Sequence, residues 1–290
     1  MKRRRFISLV AAFACAPALA RADTWSGYAL GADVSVTLHG PRDMTRLALA
    51  EVPRLLESIE DAFSLYRPSS DITRLNADGR LSDPKPLFHE LMVQADKAHD
   101  LSGGIFDPSV QPLWAAAAQD GDLHLARQAI GWKRVRFSDR MINMDRGQAV
   151  TFNGIAQGFA TDAMRHLLRR HGVTKALVNI GEHAAMGGPF TLGLDDPVHG
   201  HLGTRHLHDM AIATSSPAAM TVGGQHHIFG PHGQAPLWST VSIEAEAATL
   251  ADALSTAAVF MDRETVGQLK RTAKLHRVTL VDRDGNIQTV

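Results

Sequence analysis

The chain has 290 residues, 44% of them hydrophobic and 21% charged, with 30 basic residues balanced by 30 acidic ones. That length can bury a substantial core, and the absence of net basic charge removes the field a general nucleic-acid binder needs, so no nucleic-acid partner is expected. Its single cysteine, Cys15, lies in the N-terminal segment, which leaves the remainder of the chain without thiol chemistry or a disulfide.

The chain opens MKRRRFISLVAAFACAPALARAD: a basic start, an apolar middle and a small-residue end, the layout of an export signal. Arg3-Arg4-Arg5-Phe6-Ile7 resembles a twin-arginine motif, and Ala20-Arg21-Ala22 offers an A-x-A cleavage site. Residues 1–22 are therefore read as a twin-arginine export signal, residues 23–290 as the mature domain, and the address as the periplasm. A lipoprotein attached through Cys15 fits less well, because Ala12-Phe13-Ala14 is a poor lipobox. Without residues 1–22 the chain keeps all its acidic residues and loses five basic ones, so it becomes net acidic.

Further along, residues 32–40 alternate as a strand, and 43–62 repeat Leu47, Ala50, Leu55 and Ile59 at helical spacing. Residues 86–104 read as a helix ended by glycine, 132–144 as a hairpin, 154–172 as a helix closed by Gly172, and 175–181 as a short buried strand. PFTLGLDDP, HDMAIATSS and residues 237–245 follow as strands, 249–260 as a helix, and 277–290 as a hairpin turning at Asp284-Gly285-Asn286. Helices and strands mix without strict alternation, which predicts an α+β fold.

Several segments carry possible chemistry. In SGGIFDPSVQPLW the glycines permit close approach of a ligand, Phe106 can stack on a planar ring and Asp107 can hydrogen-bond it; a helix cap followed by a turn accounts for the same residues. VTFNGIAQGFATD runs a strand into a helix through Asn153-Gly154, which suits a phosphate, but lacks the G-x-G-x-x-G spacing and the Walker lysine. Glu182 and His183 follow a glycine turn. His226, His227 and His232, with His199, His201, His206 and His208, raise a zinc or copper reading, although their spacings match no metalloenzyme signature and a scattered surface set explains them more simply. In TLADALSTAAVF, Asp252 and Thr256 stand at i and i+4 on an otherwise apolar helix. Two hard oxygen groups there suggest magnesium. Alternatively, Thr249 is an N-cap with Asp252 as its partner, and Thr256 bonds back into its helix.

The order of the segments is more specific than any one of them. FSLYRPSSDITRLN, SGGIFDPSVQPL, FNGIAQGFATD, LVNIGE, AIATSS, HHIFGPHG and ADALSTAAVF together resemble the FAD:protein FMN transferases of the ApbE family, from about Leu30 to about Met261. TFNGIAQGFATD with Gly181-Glu182 is most similar to the NosX-like branch associated with nitrous-oxide reductase maturation. The resemblance implies an ApbE-like fold of mixed sheets packed with helices, and Mg2+-dependent transfer of FMN from FAD, the substrate, to a threonine or serine hydroxyl of a target protein, with AMP released. It implies a metal site of Asp252, Thr256 and the Gly154 carbonyl, and His227 as general base. Flavin or FAD contacts would come from Leu30, Tyr66, Ile105, Phe106, Asp107, Thr151, Gln157 and Ile228. The target it implies is a membrane-bound, FMN-carrying electron-transfer protein. Five positions depart from the family: Thr151 replaces an Asp, Gln157 a Lys or Glu, Leu30 and Ala32 the Met and Thr of a Met-Gly-Thr, and Gly230 an acid. The competing functions are an FAD-binding protein or FAD pyrophosphatase using the same site, and a periplasmic histidine-rich metal chaperone.

Overall fold

The computed structural model describes residues 22–290; the export signal expected over 1–22 lies outside the described residues except for Ala22. In chain order the elements begin with β1 (Ala22–Ala29), β2 (Ala32–His39), α1 (Arg42–Phe63), α2 (Asp71–Asp78), β3 (Arg80–Ser82) and α3 (Pro86–Leu101). Next come α4 (Gln111–Ala118), α5 (Leu123–Gln128), β4 (Arg136–Phe137), β5 (Met141–Asn143), α6 (Ala156–Arg170), β6 (Lys175–Ile180) and β7 (Glu182–Met186). The chain continues through β8 (Phe190–Asp196), β9 (Gly200–Leu207), β10 (Ala211–Ser215), β11 (Thr221–Val222), β12 (Gln225–His226) and β13 (Thr240–Ala245). It finishes with α7 (Ala248–Ala258), α8 (Arg263–Thr272), β14 (Arg277–Val281) and β15 (Ile287–Thr289).

An eight-stranded sheet in the order β1-β2-β6-β7-β10-β13-β14-β15, antiparallel at every pairing, forms the middle of the molecule. Strand alternation sorts its two faces. Val178, Ala213, Val241 and Ile243 join the main core beneath α6 and α7. Leu177, Ala185 and Ile212 point the other way and bury Phe190, Leu192 and Leu207 of the β8–β9 hairpin. Asp196 pins that hairpin to the sheet, accepting from the hydroxyls of Ser239 and Thr240, each at 2.7 Å, and from the Val198 and His199 N–H groups.

The aromatic part of the core positions the functional segment. Phe63 of α1, Phe88 of α3, Phe152 before α6 and Phe159 within it pack together, mostly edge to face, with ring centroids 5.3–5.9 Å apart. They fix the turn Phe152-Asn153-Gly154 and the helix it feeds.

Several boundaries differ from the sequence expectation. α3 stops at Leu101 rather than 104, because the Ser102 hydroxyl takes the Phe106 N–H at 2.9 Å and Gly103 and Gly104 turn left-handed. The expected hairpin over 132–144 is a 3-10 turn at Trp132–Arg134 followed by the short pair β4–β5. Glu182 and His183 follow the left-handed turn at Gly181, as expected, and open β7.

Candidate functional site

α7 is buried nearly all round, and its N-terminus has no capping side chain of its own. Asp162, from α6, supplies the cap across the helix interface: it accepts from the Ala248 N–H at 3.1 Å, the Thr249 N–H at 2.9 Å and the Thr249 hydroxyl at 2.7 Å. Thr249 is thereby occupied, and the local capping box with Asp252 does not form. Asp252 instead accepts the Gly158 N–H at 2.9 Å. The two helices approach so closely that a Cβ on Gly158 would stand 2.3 Å from the Ala248 carbonyl oxygen and 2.7 Å from the Asp252 Cβ. Gly158→Ala is therefore expected to cost about 3 kcal/mol of stability through overpacking against backbone. Urea melts would measure this, and a loss below about 0.5 kcal/mol would mean that the helices part freely.

One turn on from Asp252, Thr256 lies against the strand–helix turn: its hydroxyl is 2.9 Å from where a Gly154 Cβ would be. That hydroxyl does not bond back into its own helix as the alternative sequence reading allowed. It meets Ser215 of β10 at 3.3 Å, while neighbouring Ser255 bonds back to the Asp252 carbonyl at 2.9 Å. Across the sheet, the buried Glu182 accepts the Thr214 N–H at 3.0 Å. Burial, and then the charge of Asp252, push the Glu182 carboxyl well above its ordinary range. Burial also pushes Asp252 up to about 7, against the lowering effect of the Gly158 N–H. Among the described residues no Lys, Arg or His forms an ion pair with either carboxylate. A carboxylate, a hydroxyl and a main-chain turn beside uncompensated negative charge fit a small hard cation, whose other ligands are oxygens of water or substrate. Among the described residues there is no group of three His, Cys, Asp or Glu side chains of the kind a softer metal favours.

A small cleft adjoins these residues, lined by Ile105, Phe106, Thr151, Gly154, Phe229, Thr256 and Phe260. Asp107 also lines it, and its carboxylate holds the local backbone. It accepts from the Ser109 N–H at 2.8 Å and hydroxyl at 2.6 Å, and from the Trp132 N–H at 3.3 Å. Asp107 thus caps a 3-10 turn, as the cap-and-turn reading of this segment has it, while it also lines the cleft.

Of the other sequence-predicted residues, Leu30, Tyr66, Gln157, His227 and Ile228 do not line this cleft. Gln157 donates to the Leu30 carbonyl at 3.3 Å and Glu60 accepts the Leu30 N–H at 3.0 Å, so the β1–β2 turn is held to both α6 and α1. Tyr66 is 79% exposed, and Ile228 packs half-buried on the main core. His227 is mostly buried; its Nδ1 lies 3.2 Å from two carbonyl oxygens, those of Pro217 and Met220. Two acceptors require the proton on Nδ1, which leaves the Nε2 lone pair available to take another. Burial lowers the His227 pKa, favouring the neutral form that can act as a base.

The sequence model of the ApbE family matches residues 30–279. The chain belongs to the ApbE family. It is 25% identical over 189 residues to an FAD:protein FMN transferase of Vibrio cholerae, a match covering 57% of this chain and 56%, about half, of that relative. It is also 25% identical to one of Klebsiella pneumoniae, covering 75% and 74%. Its fold superposes on the flavin transferase ApbE from Vibrio cholerae with a TM-score of 0.81 at 20% identity, covering 94% of this chain and 97% of that one. The Pseudomonas stutzeri flavinyl transferase ApbE, apo form, gives 0.82 at 21% identity, covering 95% and 97%. The α+β, ApbE-like fold expected from the segment order is the fold observed.

Within this ApbE-family fold, Gly230 leaves the His227 hydrogen bonds untouched, since backbone carbonyls orient the imidazole. The space beside Gly230 is taken by Gln234, whose Oε1 would be 2.5 Å from a Cβ there. The histidines of β9 and its flanks have separate partners: His201 meets Asp195 at 2.9 Å, His206 meets Thr191 at 2.9 Å and His208 meets Asp209 at 3.0 Å. Sequence reasoning missed Asp162, Ser215, Phe229 and Phe260 as parts of this site. None carries a local signal, because each acts across an interface that the sheet and the α6–α7 contact create.

Proposed function

We propose that this ApbE-family chain transfers FMN from FAD to a serine or threonine hydroxyl of a target protein, with magnesium bound at Asp252, Thr256 and the Gly154 carbonyl. The observation that carries the proposal is the buried, uncompensated Asp252–Glu182 pair set against the Gly154 turn and an aromatic-walled cleft. When bound, magnesium would neutralise charge on the FAD diphosphate as a Lewis acid. Phe106, Phe229 and Phe260 supply apolar walls for the isoalloxazine. Nε2 of His227 accepts the proton of the acceptor hydroxyl as its oxygen attacks the FMN phosphorus. The bond from that phosphorus to the bridging oxygen breaks, AMP leaves, and a phosphoester joins FMN to the target.

The export-signal layout of residues 1–22 supports a periplasmic address. The NosX-like form of the FNGIAQG segment supports a membrane-bound, FMN-carrying electron-transfer protein of nitrous-oxide reduction as the target. The test is mass spectrometry of such an acceptor domain incubated with the mature protein, FAD and magnesium. The expected result is a gain of one FMN phosphoester with stoichiometric AMP, blocked by EDTA. AMP and free FMN without an adduct, across acceptor domains, would make the protein an FAD pyrophosphatase instead.

A further inference from the structure

His227 sits at the base of a short hairpin. β11 and β12 pair Thr221 with His226 and Val222 with Gln225, and the His227 N–H continues the ladder to the Met220 carbonyl at 3.2 Å. The two turn residues, Gly223 and Gly224, have φ of 56° and 74°, as a tight two-residue hairpin of this hand requires. Their surroundings differ. A Cβ on Gly224 would meet nothing within 4 Å, whereas one on Gly223 would stand 2.0 Å from the Ala117 carbonyl oxygen and 2.9 Å from its carbon. The hairpin tip thus rests directly on the backbone of α4.

α4 is the continuation of the cleft wall. Phe106 and Asp107 run into the 3-10 turn Pro108–Val110, which leads without a break into Gln111. Asp107 locks that turn through Ser109, and the Pro108 carbonyl takes the Thr151 N–H at 2.8 Å. One rigid stretch therefore carries Phe106 at one end and supports the hairpin tip at the other. Phe229, two residues beyond His227, lines the same cleft from the hairpin side.

We propose that Gly223 is a positioning residue: its backbone contact with Ala117 sets the tilt of the β11–β12 hairpin, and so the placement of His227 relative to the cleft wall. The proposal rests on the assignment of His227 as general base. Both residue types at the turn must tolerate positive φ, and only position 223 must also lack a side chain.

The test compares Gly223→Asn with Gly224→Asn. Asparagine accepts left-handed backbone, and the resulting Asn-Gly and Gly-Asn turns both suit a two-residue hairpin, so both variants should fold. Gly223→Asn is expected to lower kcat by on the order of 10²-fold, as a displacement of about 1 Å can, with KM for FAD and FAD fluorescence titrations unchanged. Gly224→Asn should match the wild type. The double variant Gly223→Asn, His227→Ala should be no slower than His227→Ala alone, because the contact acts through the imidazole. Equal kcat in the two asparagine variants, or a full further loss in the double variant, would overturn the proposal. A loss of FAD binding together with kcat would assign Gly223 a general structural role and overturn it as well. A wild-type rate in His227→Ala would remove the assignment of the base itself, and the positioning role with it.

Discussion

Asp252→Asn is expected to abolish FMN transfer while making the cation-free protein harder to unfold. The loss of transfer follows from removing the only carboxylate assigned to the magnesium site; metal-ion stabilisation of several kcal/mol corresponds to at least about 10³-fold in rate. The gain in stability follows from electrostatics. Asn can still accept the Gly158 N–H, but it removes a charge buried beside Glu182. In the wild type Asp252 titrates at about 7, against 3.8 for the ordinary side chain. Between those values the unfolded chain binds fewer protons than the native one, so stability falls as pH rises and the fall is complete once pH passes the folded-state value. His183, buried and held down at about 4, contributes the opposite slope up to 6.5, but it is common to both proteins and cancels in the difference. The advantage of Asp252→Asn should therefore grow from about pH 4 through about pH 7, and grow further as Glu182, whose carboxyl the Asp252 charge raises only in the wild type, ionises. Denaturant melts in EDTA at the two ends of that range would read it. An advantage that does not depend on pH would count against the buried pair. Added magnesium should stabilise the wild type and not the variant.

His227→Ala is the second large effect. Its rate should fall by on the order of 10²-fold or more, the usual contribution of a general base, while FAD still binds, because the imidazole is held by Pro217 and Met220 rather than by the cleft wall. The pH–rate profile separates this from simple disruption. In the wild type the acidic limb should lie below 6.5, since burial lowers the His227 pKa. In the variant that limb should vanish. A limb that persists unchanged would place the base elsewhere.

Much of the site could be read from the chain because family motifs are contiguous. Asp252 and Thr256 share one helical turn, Ile105 to Asp107 are adjacent, and Gly154 sits inside one strand–helix turn. Helical periodicity identifies α1 and α6, since each presents an apolar face that repeats every three or four residues, whereas α7 reads as a continuous apolar run buried nearly all round. The short elements were not legible in this way. α2, α5, β3 and β11 each have only two to eight residues, too few for a period to emerge, and they are held by caps and tertiary contacts. Asp107 shows the limit from the other side: the sequence offers both a ligand contact and a turn cap, and only the fold adds Trp132, distant in sequence, to the groups it holds.

By itself, the sequence determined the family, the α+β class, the helix carrying the Asp252–Thr256 pair and the histidine that follows Gly223-Gly224 by three residues. Only the tertiary structure decided what those residues experience. The sheet order brings Glu182 from β7 beside Asp252 from α7, and burial there, not residue type, raises both carboxylates. The close approach at Gly158 and the cap from Asp162 set the α6–α7 interface, and the contact between Gly223 and Ala117 ties the hairpin to the cleft wall. These are pairings across distances of roughly seventy to a hundred residues, created by packing, and no local pattern encodes them.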